Sequence, residues 1–341
     1  MIVLYILLAI FVFGLMILIH ELGHFLFAKI FKVKIEEFSI GMGPAILTKE
    51  AKDGVKYSLR LFPIGGYVAM AGESEESDDP NAFNKKPAWQ RLIIVAAGAV
   101  MNLLLGIIIM LILTICTPRF GTNVIYDFQE ASSSVEYLCP GDEIVKIGNA
   151  DVHTANEISY EIMRQGYEPI PVTVIREGSK ITIDNVTFPQ IMSDGVVFGS
   201  VDFRVYGEAR TFGSVMKNTF FSCKSTIKMV FDSIIDLISG RYGIDQMSGP
   251  IGVTGAMTEA AKTGAYSLFY MVVILSMNLG IFNLLPIPAL DGGSLLLILI
   301  EIIIRKPIPQ KIEGIIKAVG FVLLIGLIIV ISLKDIIYLF K

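Results

Sequence analysis

Long apolar runs without charge divide this chain. Residues 2–19, IVLYILLAIFVFGLMILI, hold no charged side chain, and neither do residues 92–116, LIIVAAGAVMNLLLGIIIMLILTIC. Between Tyr266 and Ile300 the only charge is Asp291, and from Ala318 to Leu333 there is none. A bilayer core about 30 Å thick is crossed by roughly 20 helical residues, so each run predicts a membrane-spanning helix. The fourth is short unless its helix begins near Lys311 and Lys317 reaches water along its own stem. The first run lacks the basic leader and small-residue cleavage site of a secretory signal, and is expected to be a retained span.

The segments between these runs have other periods. Residues 38–72, FSIGMGPAILTKEAKDGVKYSLRLFPIGGYVAMAG, alternate apolar and polar positions and break at KDG and PIGG, which predicts short strands joined by turns. Their apolar positions suit a hairpin dipping into the membrane face. The acidic run ESEESDDP at 73–80 reads as a solvated loop, since no turn glycine arranges its carboxylates around a cation. Residues 119–205 carry turn, strand, helix and strand signals in the succession of a small α+β module. From Glu208 to Gly240, apolar residues recur at spacings of three and four with lysines between, predicting an amphipathic helix that lies on the membrane or packs under the module. The expected fold is a polytopic α-helical membrane protein with four transmembrane helices, a membrane-associated β-hairpin region and an inserted α+β domain. Its parts are a first span in 1–30, the hairpin and loop in 31–88, a second span in 89–117 and the module in 118–206. The amphipathic helix and connector follow in 207–262, a third span with its extension in 263–305, and a loop with the fourth span in 306–341.

Composition sharpens this picture. Of 341 residues, 53% are hydrophobic and 18% charged, with mean hydropathy +0.66, an apolar excess that points to lipid contact. The net charge of −4 and the absence of a basic patch argue against a nucleic-acid partner. Cys116, Cys139 and Cys223 are too few and too scattered for a disulfide framework. Lysine and arginine concentrate in 29–91 and again in 301–317, which places both stretches on the cytoplasmic side of a cell membrane and leaves the module and the C-terminus outside.

The candidate chemistry sits at the end of the first span. His20 and His24 are four positions apart in HELGH, so on a helix they share a face and can grip one metal ion. Glu21 can then reach a water at that ion without being a ligand, the logic of H-E-x-x-H. Such a cluster at the end of an apolar helix is costly unless paired or metal-bound. Zinc needs a third ligand, and the one remaining histidine, His153, falls in the polar module at an expected surface or helix-cap position. Asp291, the lone charge of the third run, is the oxygen donor expected at the same depth, because the first and third spans run in the same direction. Pro286 and Pro288 in NLLPIP free backbone groups within that span. Asn102, Asn278 and Asn283 are amides in apolar helices, either glue between helices or holders of a substrate backbone. A zinc transporter also carries histidine and aspartate ligands, but it has little use for Glu21.

HELGH, PIGGYVAMAGE, FNKKPAWQR, AGAVMN, MSGPIGV and NLLPIPALDGG occur here in the order seen in the site-2 proteases, intramembrane zinc metalloproteases of regulated proteolysis. Over nearly its whole length the chain most resembles the bacterial subgroup typified by the regulator of sigma-E protease. That resemblance implies zinc ligands at His20, His24 and Asp291 and a catalytic base at Glu21. It also implies a hairpin that presents substrate as a strand, and a single PDZ domain for the 119–205 module on the extracytoplasmic side of a bacterial plasma membrane. The implied partners are single-span membrane proteins, such as anti-sigma factors or remnant signal peptides, and a peptide ligand of the PDZ domain. The sequence departs from the family pattern at Ala99, where proline is usual, and at Ser294, where a larger polar residue is common. FQEASSSVEYLCPGD is a further departure, an atypical approach to a PDZ peptide groove.

Overall fold

A computed structural model describes the whole chain except Met1, Ser74, Asp194, Tyr242, Ile244, Asp245, Phe340 and Lys341, and it describes residues 2–4, 63, 64, 338 and 339 by their backbone only. In chain order the elements are α1 (Ile2–Ile30), β1 (Ile35–Glu50), β2 (Lys56–Met70), α2 (Ala88–Cys116), β3 (Arg119–Phe128), β4 (Glu143–Ile147), β5 (Ala150–Asp151) and α3 (Ala155–Gln165). They continue with β6 (Ile170–Arg176), β7 (Ser179–Val186), β8 (Gln190–Ser193), β9 (Val196–Gly199), β10 (Phe203–Ala209), α4 (Phe212–Ile238), α5 (Pro250–Thr263), α6 (Ala265–Leu284), α7 (Asp291–Ile304) and α8 (Gln310–Leu339). Two compact units result, Met1–Ile109 with Met247–Lys341, and Met110–Gln246.

Among the described residues four helices are long and apolar enough to cross a membrane: Tyr5–Ile30, Ala88–Cys116, Ala265–Leu284 and Gln310–Ile337. The fourth starts at Gln310, so the helix gains the length that its uncharged core lacks, and Lys317 pairs with Glu313 at 2.7 Å one turn earlier. In the first unit the spans meet through small residues. A Cβ at Gly23 would stand 2.4 Å from the Ala97 carbonyl oxygen, and one at Gly280 would stand 2.9 Å from that of Ala99. α1 and α6 thus both approach the small-residue stretch of α2, as apolar helices do when dispersion rather than water drives their contact. Ser276 on α6 adds a hydrogen bond from Oγ to the Asn102 carbonyl at 2.8 Å.

The expected third span is broken into α6 and α7. Leu285–Leu290 cannot continue the helix, because Pro286 and Pro288 bring no N–H and clash with the preceding turn. The linker folds back over the start of α7, and Ala289 takes φ +75°. A Cβ at Gly292 would lie 1.8 Å from the Leu285 carbonyl oxygen, and one at Gly293 would lie 2.6 Å from that of Ile287. The two glycines after Asp291 are therefore what lets the linker cross.

The hairpin is more elaborate than a plain pair of strands. Residues 37–40 of β1 pair antiparallel with 66–69 of β2 on one side and in parallel register with 56–59 on the other, while 45–50 pair antiparallel with 56–60. Folding two long strands back on themselves gives a small sheet of four segments with 66–70 at one edge. Arg60 fastens its bend: it donates to the Gly43 carbonyl at 2.7 Å and to Glu37 at 2.8 Å, and Tyr67 donates to Glu37 at 2.6 Å. Phe25, Ile94, Phe38, Val55, Met70 and Phe83 form the core that seats this sheet against α1 and α2.

The MSGPIGV stretch is explained by α8. Asp335 accepts from the N–H groups of Gly249 and Gly252 at 2.9 and 2.8 Å, capping the start of α5. Cβ atoms at these glycines would lie 3.0 and 3.1 Å from the same carboxylate oxygen. Asp335→Ala leaves one buried and one half-buried donor without an acceptor, a loss of about 1–3 kcal/mol. Thermal unfolding in detergent should show the midpoint fall, with Asp335→Asn falling less.

In the second unit β10, β3, β4, β6 and β7 lie side by side in that order, and Ile125, Ile144, Ile158, Ile162, Val172 and Val174 fill the space under α3. Asp202 gathers the ASSS stretch, accepting from the backbone of Ser133 and Ser134 and from the hydroxyls of Ser132 and Ser134. The predicted amphipathic helix is α4. It presents its polar side to α3: Asp232 accepts from Tyr160 at 2.8 Å, Arg164 donates twice to Asp236, and Lys228 reaches Glu161 at 2.7 Å. Its apolar side, with Phe212, Met216, Phe220, Phe231, Ile235 and Ile238, is exposed.

Candidate metal centre

Two helices bring the predicted ligands together. His20 and His24 face one way from α1, and Asp291 is the first residue of α7. Nε2 of His20 lies 3.2 Å from Nε2 of His24, and these atoms lie 3.1 and 3.3 Å from Oδ2 of Asp291. Among the described residues this is the group of acids, histidines and cysteines that could hold a metal ion. A tetrahedral ion with bonds of about 2.0–2.1 Å sets its ligand atoms roughly 3.3 Å apart, so the triangle has the size of one face of a zinc polyhedron. Oδ2 of Asp291 is buried and takes no aligned hydrogen bond, although both Nε2 atoms are within contact distance. Close approach without hydrogen-bond alignment suits ligands that converge on a shared cation better than a histidine–aspartate ion pair.

α2 provides the cradle behind the rings. Nδ1 of His24 donates to the Ile94 carbonyl at 2.8 Å, and Nδ1 of His20 lies 3.2 Å from the side-chain amide of Asn102. Between these anchors, one turn from each, stands Gly98. A Cβ there would meet Nε2 and Cε1 of His24 at 2.4 and 2.6 Å and Cε1 of His20 at 2.8 Å. Only a residue without a side chain allows two imidazoles to lie against the helix at that point.

Glu21 points to the sheet edge instead. Its Oε2 accepts from the Val68 N–H at 3.1 Å, and a Cβ at Gly66 would come 3.6 Å from its Cγ. The carboxylate is thereby held next to His20 without entering the ligand triangle. Beside Asp291 opens a cavity of about 430 Å³, lined by Glu73, Leu290, Ser294, Lys317 and Phe321 among others. Burial pushes the Glu73 carboxyl, outside the spans, up to about 7.

The other expected residues are dispersed. Asn102 is fully buried against His20, Asn278 and Asn283 are half-buried in α6, and Pro286 and Pro288 are exposed in the α6–α7 linker. A Cβ of Pro288 comes within 2.4 Å of where one would stand on Gly320, so α8 seats the linker at a glycine. His153 belongs to the Met110–Gln246 unit, where it stacks on Phe221 with ring centroids 4.1 Å apart. Gly98, the Ile94 carbonyl and the Val68 N–H were not singled out from sequence. The run Ala96–Ala99, four small residues inside a span, was the available signal for a tight helix approach at this point.

A zinc metalloprotease built on membrane-spanning helices is the class that this fold and donor set define. The model for peptidase family M50 matches residues 8–327, and the chain belongs to that family, the site-2 proteases of the resemblance. A Clostridium acetobutylicum protein named as a candidate zinc metalloprotease is 38% identical over 98% of this chain and 97% of its own length. Two relatives bear fuller names. The zinc metalloprotease RasP of Shouchella clausii is 27% identical over 97% of this chain and 98% of its own. The regulator of sigma-W protease RasP of Bacillus subtilis is 28% identical over 95% and 96%. With its four apolar helices the chain is a multi-pass membrane protein, and zinc is its cofactor.

Proposed function

We propose that this protease hydrolyses peptide bonds inside transmembrane segments of other proteins, with His20, His24 and Asp291 holding zinc and Glu21 as the catalytic base. The observation that carries the reading is the triangle of His20, His24 and Asp291 with Glu21 beside it, the histidines and Glu21 on a span-length helix and Asp291 at the start of the short α7. When bound, the zinc ion polarises the scissile carbonyl and lowers the pKa of a water toward neutrality. Glu21 takes a proton from the attacking water and returns it to the departing amine. The Val68 N–H orients that carboxylate, so a shift of the sheet edge would also shift the base. An intact substrate helix hides its carbonyls in its own hydrogen bonds. The edge of the 66–70 segment, beyond the Val68 N–H that Glu21 holds, supplies the strand backbone that can hold such a segment extended. Asn283, at the end of α6, is suited to grip it.

The Met110–Gln246 unit is read as carrying a single PDZ domain on the extracytoplasmic side of a bacterial plasma membrane, with β10 as an edge strand for a peptide. There it would bar proteins with bulky outer domains, leaving single-span proteins already trimmed outside. The sigma-regulating name of one relative favours anti-sigma factors as substrates, with remnant signal peptides as a second group. The test is cleavage of a single-span substrate in proteoliposomes by the purified full chain, with zinc measured in the same preparation. Asp291→Ala should lose zinc and hydrolysis together. Equal activity in that variant would sink the proposal and leave a non-catalytic scaffold.

A further inference from the structure

Asn102 is the one amide of the three in apolar helices that touches a ligand side chain. It is fully buried, its amide group lies 3.2 Å from Nδ1 of His20, and its Oδ1 is buried with no partner when Nδ2 is the atom turned to the ring. A neutral imidazole carries one proton, and a ring that ligates through Nε2 must carry it on Nδ1. Nδ2 facing the ring would demand a lone pair on Nδ1 and drive the proton onto Nε2, the atom aimed at Asp291. A half-turn about the Cβ–Cγ bond exchanges the two ends of the amide and brings the orphaned oxygen to the ring.

We propose that Asn102 is a positioning residue for zinc: its Oδ1 accepts the Nδ1–H of His20 and fixes the ring in the tautomer that offers Nε2 to the ion. The inference rests on the zinc site proposed above. It makes α2 a matched pair of acceptors, since the Ile94 carbonyl performs the same task for His24 at 2.8 Å. Ile94 and Asn102 are separated by two helical turns, and His20 and His24 by one, with Gly98 at the midpoint. The Ser276 hydroxyl on the Asn102 carbonyl at 2.8 Å fixes the backbone that carries the amide. Partners in this position orient a ligand and raise its basicity, and their loss typically costs about 10–100-fold in metal affinity.

Zinc affinity of the full chain in detergent, titrated against a chromophoric chelator, reads this directly and without activity. Asn102→Leu keeps the bulk, removes the acceptor and is expected to weaken zinc by roughly 10–100-fold. Asn102→Asp keeps an acceptor and loses every donor, and is expected to bind zinc at least as tightly as the wild type. A tenfold weakening in Asn102→Asp overturns the proposal, because it makes the donor Nδ2 the important atom, and this variant decides the matter even where the leucine variant does not fold. Wild-type affinity in a folded Asn102→Leu also overturns it and returns Asn102 to helix glue or substrate contact. Should the wild type hold no stoichiometric zinc, the site itself falls, an outcome separate from either of these.

Discussion

Glu21→Gln is expected to keep one zinc per chain and lose hydrolysis by about 10²–10⁴-fold, the usual range for removing a general base. Glutamine has the shape of glutamate, and its carbonyl oxygen can still accept from the Val68 N–H, now at 3.1 Å from Oε2. The sheet edge and the ligand triangle should therefore remain in place while the proton acceptor is gone. Single-turnover cleavage of a single-span substrate in proteoliposomes, with metal content measured alongside, separates the outcomes. Loss of zinc with loss of activity would make Glu21 part of the ligand set. Unchanged cleavage would remove it from the chemistry, and unchanged zinc flux across the vesicle would favour the transporter reading. Glu21→Asp tests the reach of the group: one methylene shorter, the carboxylate cannot hold both the Val68 N–H and its place beside His20.

What was legible in the sequence is what depends on near neighbours. Charge-free runs long enough to cross a bilayer disclosed the spans, and His20 and His24 share a face by helical spacing alone. Asp291 stood out as the only charge in its run, and the prolines of NLLPIP announced a broken helix. The unreadable part comes from contacts distant in sequence. Alternation marked 38–72 as strands, but nothing local says that 37–40 will have partners on both sides, because that depends on how the long strands bend. Gly292 and Gly293 looked like part of a motif, and their necessity appears only when the linker is seen crossing them so closely that a Cβ on either would stand 1.8 or 2.6 Å from a linker carbonyl oxygen. In α4 the periodicity was visible but the direction was not. An amphipathic helix is usually expected to turn its apolar side to the protein, whereas here Tyr160, Glu161 and Arg164 of α3 supply charged and hydroxyl partners for the polar side. The exposed apolar stripe is then free for the lipid surface that the membrane reading of this helix anticipates.

Gly98→Ala should be as damaging to the metal as removal of a ligand. The added methyl would stand 2.4 Å from Nε2 of His24 and 2.8 Å from Cε1 of His20, both far inside van der Waals contact. Neither ring can retreat freely, since one Nδ1 is tied to the Ile94 carbonyl and the other lies on the Asn102 amide. The backbone of α2 cannot retreat either, because Gly280 and Gly23 already bring α6 and α1 against its neighbours Ala99 and Ala97. The strain therefore falls on the ring angles at the metal. Both rings move together, so on the proposed ligand set zinc affinity is expected to fall by roughly 100-fold or more, at or beyond the range for losing one orienting partner. Hydrolysis by fully loaded enzyme should fall by about 100-fold as well, the cost of a displacement near 1 Å at a reacting centre. Gly326→Ala is the control, a glycine of α8 whose Cβ would meet nothing within 4 Å. It should leave zinc and cleavage unchanged and can only favour its helix. If Gly98→Ala bound zinc like the wild type and cleaved at the same rate, the rings would not rest on α2 when loaded, and the cradle described for His20 and His24 would be wrong.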